Sequence, residues 1–424
     1  MTMFRAVFLA VVIGTLLLVA AFLIQSGRPA VEVDQPTPEL VRAAGKCASC
    51  HRDETAAVVA EYERSEHARE GVNCLDCHRP VGSQVGEEHR GFTITMNVTA
   101  LNCDQCHATQ YRQFLRSRHA APAFAAVRGS EPFTEEQIEH AETYHPGAVD
   151  RPANALAQLE GAAAIESGCE ACHSIGRPNP DGSIGSCTAC HSRHSASVEL
   201  ARTPRTCGQC HMGPDHSQIE IYEESKHGVI YEAQHDGFNM SAEPTALTVE
   251  DMPVPTCSTC HMSGIEGLSP THDVTERLSW WLFSAVSERR PTYLQGQEEM
   301  KAVCMNCHTE THTDEFYEQA ERVVLATNDK VGGAEAIMDS LRAEGLLTPE
   351  PFDEPAEFLY FDLWHYYGRT AKHGAFMGGA DFVQWHGNYE LLLKTVELKE
   401  IAAELRAHGS PKAYPTRYDG SPDD

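Results

Sequence analysis

The sequence has no cysteine outside one recurring motif. All sixteen cysteines form C-x-x-C pairs, and a histidine directly follows each pair, eight times along the 424 residues. The absence of a spare thiol argues against a disulfide framework, and neither zinc ribbons nor thioredoxin-like redox pairs explain a histidine after every second cysteine. Two thiolates at this spacing can bond to the two vinyl groups of one haem while the adjacent imidazole binds the iron. The motif therefore predicts eight covalently attached c-type haems.

The motifs define the predicted haem attachment sites and proximal iron ligands. The attachment cysteines are Cys47, Cys50, Cys74, Cys77, Cys103, Cys106, Cys169, Cys172, Cys187, Cys190, Cys207, Cys210, Cys257, Cys260, Cys304 and Cys307. The proximal iron ligands are His51, His78, His107, His173, His191, His211, His261 and His308.

Basic residues are scarce relative to acidic ones. The chain has 33 Lys and Arg against 61 Asp and Glu, for a formal net charge of −28 at pH 7. This excess of negative charge argues against nucleic acid and acidic lipid surfaces as partners.

Sustained period-two alternation of β-branched residues is also missing. The sequence therefore predicts a mainly α protein with long loops. Thr134 with Gln137 has the pattern of a capping box, which predicts a helix from that point, and the stretch 154–168 predicts a second helix that ends at Gly168. The eight motifs define an octahaem core at residues 46–315.

The C-terminal region, residues 316–424, has no haem motif and a helical composition. Leu398, Ile401, Ala402 and Leu405 fall on one face of a predicted helix, which Gly409 ends. This face either packs on the haem body or forms an interface between subunits.

The N-terminus has the features of an export or membrane segment. Residues 6–27 contain no charged residue, and Arg5 precedes them. About 20 apolar residues suffice to span a bilayer, and the cleavage site expected of a signal peptide is poor. We therefore predict an uncleaved anchor at 1–27, a polar linker at 28–45 and a body on the periplasmic side of the inner membrane. If the segment is cleaved, the protein is periplasmic.

The remaining histidines supply candidates for the second axial position of each iron. The chain has 23 histidines, of which the motifs use eight, so fifteen remain. Ser-x-His recurs at four of them, and three further histidines bring the predicted distal ligands to seven: His67, His89, His119, His194, His227, His272 and His312. Seven ligands for eight haems leave one iron open for substrate. Other histidines, among them His373 and His386, are alternatives to any of the seven.

Asp215 and His216 form an adjacent acid/base pair after the sixth motif. An Asp beside a His can hold and pass protons, which a reaction of small nitrogen species at haem iron requires. Taken alone, such a dipeptide is more often structural.

Four stretches resemble the octahaem hydroxylamine oxidoreductase family. They are CTACHSRHS (187–195), CGQCHMGPDHSQIEIYEESKHG (207–228), THDVTERLSWWL (271–282) and HGAFMGGADFVQWHGNYEL (373–391), and the resemblance runs from about residue 46 to 408. It implies a mainly helical octahaem subunit that assembles as a homotrimer. It also implies that the catalytic iron belongs to the fourth motif, Cys169, Cys172 and His173, with Asp215 and His216 on its distal side.

The resemblance leaves the direction of catalysis open. Family members that oxidise hydroxylamine carry a C-terminal tyrosine bonded to the catalytic haem of a neighbouring subunit, whereas its loss is associated with reduction of nitrite or hydroxylamine to ammonium. Phe376 and Phe382 stand in the resembling stretch, and Tyr360, Tyr366, Tyr367 and Tyr389 lie near it.

Two hypotheses follow from the sequence. In the first, the protein is an enzyme for hydroxylamine or a related nitrogen compound, and it exchanges electrons with a cytochrome c or a membrane quinol-linked cytochrome. In the second, all eight irons have two protein ligands and the protein is an electron conduit without catalysis.

Overall fold

The computed structural model describes residues 45–409, and helices dominate this part of the chain. Strands in this range are limited to two short antiparallel pairs, Glu87–His89 with Phe92–Ile94 and Trp280–Trp281 with Glu288–Arg289. The predicted mainly α class is confirmed. The predicted membrane segment and nearly all of the linker lie outside the described residues. Between residues 45 and 409, no helix has the length and apolar character needed to cross a membrane.

The described chain divides into two units. The first takes the described residues up to Asp76 together with Arg193–Ala196, and the second takes Cys77–Ser192 and the residues from Ser197 onward. Helices Gly45–Glu54, Ala56–Glu63 and Glu66–Arg69 belong to the first unit, where Ala48, Val59 and Tyr62 pack together. Helix Cys74–His78 carries the second motif, which spans the boundary between the units.

Short helices and long loops make up the second unit as far as residue 292. The α-helices are Ala100–Arg116, Ala121–Arg128, Glu135–Tyr144, Ala155–Glu160, Ala162–Ala164, Glu170–His173, Val198–Arg202, Pro204–Gly208, Gln218–Glu224, Lys226–Gln234 and Cys257–His261. Tighter 3-10 turns lie at Ser174–Gly176, Cys187–Ala189, His235–Gly237 and Ile265–Gly267, and a wider π turn lies at Ile165–Cys169. The predicted capping box is present, since Thr134 Oγ1 accepts from the Gln137 amide at 3.2 Å and Gln137 Oε1 accepts from the Thr134 amide at 2.9 Å.

The helix predicted for 154–168 differs in the structure. Its first part starts behind Asn154, whose side chain accepts from the Ala157 amide at 3.1 Å, and stops at Gly161. Gly161 has a φ of +91°, a conformation that glycine adopts without strain. The prediction that the helix ends at Gly168 is wrong, because the π turn there continues directly into Glu170–His173. The fourth motif therefore lies on a helical segment.

The C-terminal part of the second unit contains its two longest helices, Glu310–Ala343 and Glu390–His408. The other α-helices there are Tyr293–Cys304, Pro355–Phe361, Arg369–Met377 and Ala380–Val383, with π turns at Asp362–Gly368 and Gln384–Tyr389.

Two of these helices pack along their length. The buried residues of Glu310–Ala343 recur at alternating spacings of four and three: Thr313, Tyr317, Ala320, Val324, Thr327, Val331, Ala334, Met338 and Leu341. Such a stripe lets two helices stay in contact over many turns. Leu398, Ala402 and Leu405 of the last helix lie in the same core cluster as Met338 and Leu341. The predicted apolar face is thus buried within its own chain, and its helix ends before Gly409 as predicted.

Candidate active site

The haem motifs form local turns that bring each histidine near the first cysteine of its pair. The backbone amide of His308 donates to the carbonyl of Cys304 at 2.9 Å, and His191 and His211 make the equivalent bonds at 3.0 Å. Residues four apart on a helical turn share one face. The fourteen cysteines other than Cys74 and Cys77 form no disulfide. Their thiols are therefore available for attachment to haem.

Two motif histidines have the hydrogen bonding expected of iron ligands. His173 Nδ1 lies 2.5 Å from the carbonyl oxygen of Ala123, and His78 Nδ1 lies 2.9 Å from that of Thr95. A hydrogen bond from Nδ1 to a carbonyl fixes the tautomer and leaves Nε2 as the metal ligand. Burial, above all, lowers the pKa of His173, which favours the neutral imidazole that binds a metal. These residues fit haem ligation.

Several predicted distal ligands face motif histidines. Two imidazoles on opposite sides of one metal ion have ring centres roughly 6 Å apart, because each nitrogen stands about 2 Å from the metal. The ring centres of His191 and His272 are 6.4 Å apart, those of His308 and His227 are 6.0 Å apart, and those of His211 and His119 are 5.8 Å apart. These spacings suit axial pairs, while the choice of haem for each ligand stays a prediction.

The other predicted distal ligands are placed differently. The His312 ring lies 4.8 Å from His308, which is too close for the two to bind opposite sides of one iron. His89 lies in the exposed strand Glu87–His89. His67 and His194 belong to the first unit, where His194 Nδ1 is 3.9 Å from a Glu61 carboxylate oxygen. Their roles as ligands stay predictions.

The serine of the Ser-x-His pattern has a structural role that the sequence reading missed. The Ser65 hydroxyl caps the helix that follows it by accepting from the amide three residues later at 3.1 Å, and Ser225 does the same at 3.1 Å. The hydroxyl of Ser117 accepts from the amide of His119 at 3.0 Å. The preference of serine for helix N-caps could have identified this role. The cap fixes the histidine in the first turn of its segment.

The structure brings the Asp-His pair to the fourth motif. His216 Nδ1 lies 2.6 Å from Asp215 Oδ2, and both side chains keep partial exposure, 23% for His216 and 33% for Asp215. The His216 ring is 6.5 Å from that of His173 and nearly perpendicular to it. The ring of His211 lies 6.1 Å from His216 on another side. Asp215 and His216 are thus adjacent to the predicted catalytic iron ligand.

Side chains of helix Arg369–Met377 hold the loop that carries this pair. The Thr370 hydroxyl donates to the carbonyl of Pro214 at 3.2 Å and lies 3.1 Å from the hydroxyl of Ser217. Both Ser217 and Thr370 are buried. The loop therefore has a fixed position on the C-terminal helix.

The charges around Asp215 favour its ionised form. Burial opposes ionisation, but the hydrogen bond and charge of His216, with a further contribution from His365, keep the pKa of Asp215 below its ordinary value. An ionised Asp215 holds the N–H of His216 Nδ1, which leaves Nε2 of His216 to exchange protons.

Two further residues of the site come from the C-terminal region and were not identified from the sequence. Arg369 Nη1 lies 2.8 Å from His365 Nε2, and Arg369 Nε donates to the carbonyl of Phe283 at 2.9 Å. The guanidinium also stands over the rings of Phe283, at 5.3 Å, and Trp364, at 5.0 Å. Burial, followed by the charge of Arg369, lowers the pKa of His365 to about 3, so His365 accepts from the arginine as a neutral ring.

Phe283 lies between two histidines of the site and is held by a buried lysine. Its ring centre is 5.2 Å from that of His216 and 4.8 Å from that of His373. Lys372 is fully buried, and its ammonium donates to the carbonyl of Ser284 at 2.9 Å, the carbonyl of Ala285 at 3.1 Å and a nearby serine hydroxyl at 2.7 Å. Burial lowers the pKa of Lys372 to about 7, yet three acceptors match the three N–H donors of its protonated form. Lys372 therefore fixes the loop that carries Phe283.

The alternative iron ligands His373 and His386 and the C-terminal Tyr366 lie in different surroundings. His373 is buried, and its Nε2 lies 3.3 Å from the side-chain nitrogen of Gln218. His386 is exposed and pairs with Asp381 at 2.7 Å. Tyr366 is half-buried in the π turn Asp362–Gly368, with its ring 5.4 Å from that of His365. A tyrosine bonded to the catalytic haem stays a prediction, and it applies only if the protein oxidises hydroxylamine.

Comparison with known families gives one match that covers most of the chain. The family model described as "seven times multi-haem cytochrome CxxCH" matches residues 70–355. Seven of the eight motifs lie inside this range, and the motif that begins at Cys47 precedes it.

Individual relatives agree with the family model. A curated protein of Kuenenia stuttgartiensis, named a probable nitrite reductase-hydroxylamine oxidoreductase fusion protein, is 24% identical over 73% of this chain, which spans only 39% of that relative. A solved "hypothetical multiheme protein" superimposes with a TM-score of 0.74 at 22% identity, over 89% of this chain and 97% of its own. A reducing HAO-like protein complex of Kuenenia stuttgartiensis superimposes with a TM-score of 0.66 at 20% identity, over 87% of both chains. The predicted resemblance to hydroxylamine oxidoreductases is confirmed as a resemblance, and the solved structures share the fold.

Proposed function

Because this chain belongs to the CxxCH multi-haem cytochrome family, whose members bind c-type haems covalently, we propose that it is an oxidoreductase for small nitrogen compounds. The proposed centre of the reaction is the haem of the fourth motif, attached through Cys169 and Cys172 with His173 as proximal ligand. The observation that carries the proposal is the convergence of Asp215, His216, His365 and Arg369 beside His173.

The chain's own residues would bind substrate and move protons. When bound, the haem held by Cys169, Cys172 and His173 would supply the redox chemistry, since its iron can exchange electrons with the substrate. Since Asp215 holds Nδ1 of His216, His216 Nε2 is the atom that delivers or removes a proton. Asp215 stabilises the imidazolium that forms when His216 Nε2 is protonated. Phe283 covers one side of His216 and limits the access of water.

The charge of Arg369 favours nitrite as a substrate. Arg369 brings a cation to the site, and its charge acts on the motif histidine His173. A cation attracts the nitrite anion more strongly than neutral hydroxylamine. We therefore propose reduction of nitrite, and of hydroxylamine, to ammonium. The names of the Kuenenia relatives, a probable nitrite reductase fusion and a reducing complex, agree with this direction.

The electron conduit is the second candidate, and one distance supports it. The 6.5 Å between the rings of His173 and His216 is also the spacing expected for two imidazoles on one iron. In that arrangement His216 is a distal ligand, all irons have two protein ligands, and no substrate binds.

A spectrum of the purified holoprotein separates the two candidates. The enzyme predicts a high-spin ferric signal for about one haem in eight, and binding of cyanide or hydroxylamine to that fraction. A uniformly low-spin spectrum that these ligands do not change would refute the enzyme. With a reduced viologen as electron donor, ammonium formation from nitrite supports reduction. Activity confined to hydroxylamine oxidation, with a red-shifted haem band, would instead support a tyrosine-bonded haem.

The proposal also covers the haem number, the location and the electron partner of the enzyme. We propose eight haems per chain, a periplasmic position with residues 1–27 as an anchor, and electron exchange with a cytochrome c or a quinol-linked membrane cytochrome. A measurement of iron content tests the haem number, and we expect eight iron atoms per chain.

An exposed apolar stripe supports the proposed homotrimer. Trp385, Tyr389, Leu392 and Val396 are spaced by four, three and four residues along the last two helical segments, and each is between 47% and 58% exposed. Exposed apolar residues on one helical face mark an interaction surface. We propose that this stripe contacts other copies of the chain.

A further inference from the structure

We propose that Asp353, Glu354 and Glu357 form a calcium site that lies outside the haem-binding machinery. The three carboxylates each offer an oxygen, and these oxygens lie within 4.8 Å of one another. Oxygens that bind one Ca²⁺ at 2.3–2.6 Å stand at most about 5.2 Å apart, which is the separation of two oxygens on opposite sides of the ion. The three carboxylates therefore lie close enough together to share one ion.

The buried carboxylate of Glu354 gives an independent reason for a cation. Glu354 is only 3% exposed, and its Oε2 has no hydrogen-bond partner among the described residues. Its other oxygen accepts from the amide of Thr348 at 2.7 Å. A buried carboxylate oxygen without a partner is costly, and a bound cation would satisfy it.

No basic side chain balances this cluster within residues 45–409. Asp353, Glu354 and Glu357 take part in none of the ion pairs seen among the described residues, which join other carboxylates to lysine, arginine or histidine. Three carboxylates at short range repel one another unless a proton or a cation is shared among them.

The donor chemistry selects a hard ion. All ligands are oxygens, which suit Ca²⁺ or Mg²⁺ better than Zn²⁺ or copper. Mg²⁺ demands near-octahedral geometry and keeps several of its waters, whereas Ca²⁺ accepts several carboxylates in a flexible arrangement. A group of three carboxylates therefore favours calcium, and waters would complete its coordination.

The rest of the loop orients the carboxylates. The hydroxyl of Thr348 donates to both oxygens of Asp353, at 2.9 and 2.8 Å, and the amide of Asp353 donates to Glu357 Oε2 at 3.1 Å. These bonds hold the loop ahead of helix Pro355–Phe361, which leads into the turn that carries His365. A cation here would stabilise the chain segment that enters the active site.

Calcium binding to the full-length holoprotein tests the site. After treatment with EGTA and dialysis, titration with CaCl₂ alone should give one ion per chain, with a dissociation constant of about 1 mM or tighter. Glu354→Gln should weaken binding at least tenfold while keeping side-chain size and haem content. Glu350→Gln, an exposed glutamate of the same loop, is the matched control and should bind as the parent does.

Other outcomes decide against the site. If no calcium binds at 10 mM, or if Glu354→Gln and the parent bind equally, the cluster holds a shared proton and the proposal is wrong. Asp353→Asn provides a second variant should Glu354→Gln fold poorly. Because calcium content is measured without substrate, the result is independent of the proposed enzymatic activity.

Discussion

The imidazole of His216 stands nearly perpendicular to that of His173, with the two ring centres 6.5 Å apart. One ring belongs to a haem motif and the other to an acid/base pair after a different motif. Their proximity defines the candidate active site, because it places a proton-exchanging group beside the iron ligand that the family resemblance implies. The electrostatic neighbours of both rings, Asp215 and Arg369, come from separate parts of the chain.

Loss of the acid/base pair should abolish most turnover. We expect His216→Ala or Asp215→Asn to lower kcat for nitrite reduction by roughly 10²–10⁴-fold, the usual contribution of a general acid or base. Viologen-coupled assays measure the rate, and iron content verifies haem loading. His386→Ala is the control, since this exposed histidine forms a similar pair with Asp381 at 2.7 Å.

The enzyme and the electron conduit predict different haem spin states for the His216→Ala variant. In the conduit, His216 is an iron ligand, so His216→Ala should create a high-spin haem where the parent has none. In the enzyme the high-spin signal is present before the substitution. A parent protein without that signal, together with its appearance in the variant, would contradict the catalytic role.

Replacement of Arg369 should discriminate between substrates. Arg369→Gln removes the cation, so we expect KM for nitrite to rise about tenfold, equivalent to roughly 1.4 kcal/mol, and KM for neutral hydroxylamine to change much less. Arg369→Lys should restore part of the nitrite affinity because it keeps the charge. Arg205→Gln, at a residue with 79% side-chain exposure, serves as the matched control. Equal effects on both substrates would indicate that Arg369 only positions Phe283 and His365.

A charge on the exposed apolar stripe should prevent assembly. We expect Val396→Glu to shift the protein from trimer to monomer, because three carboxylates would have to be buried at the interface. Native mass spectrometry reports the oligomeric state. Leu325→Glu is the control, since Leu325 is 50% exposed against 51% for Val396 and lies on another helix. A monomeric parent, or dissociation by both variants, would argue against the stripe as the interface.

The Glu354 cluster should make local stability depend on pH in the absence of calcium. Burial, then the neighbouring carboxylates of Asp353 and Glu357, raises the pKa of Glu354 from 4.5 to about 7. The folded loop therefore binds a proton that the unfolded loop releases, and stability falls as pH rises from about 4.5 to 7. Hydrogen exchange of residues 346–357 in EGTA should speed up over this range beyond the intrinsic pH effect. Calcium at pH 7, or the substitution Glu354→Gln, should remove this pH dependence of hydrogen exchange. If the variant shows the same pH dependence as the parent, it arises from groups other than Glu354.

Much of the local structure could be predicted because it depends on neighbouring residues. The capping box of Thr134 and Gln137, the end of the last helix before Gly409 and the haem motifs all follow from short-range hydrogen bonding or covalent chemistry. The division of segment 154–168 was missed, since Ala157 and Ile165, on the two sides of Gly161, pack with Val127 and Cys169 in a tertiary contact that a local pattern does not show.

The sequence by itself determined the haem attachment motifs and the helical class, because spacing along the chain decides which thiols and imidazoles can act on one porphyrin and which residues share a helix face. It offered Asp215 and His216 only as candidates, through the family resemblance. Only the tertiary structure decided that Arg369, His365 and Phe283 join that pair, and that Leu398 is buried in its own chain. Contacts between such distant residues form when helices pack. Helix Arg369–Met377 lies between helices Glu310–Ala343 and Gln218–Glu224, so its charged face reaches the site through packing that no local pattern encodes.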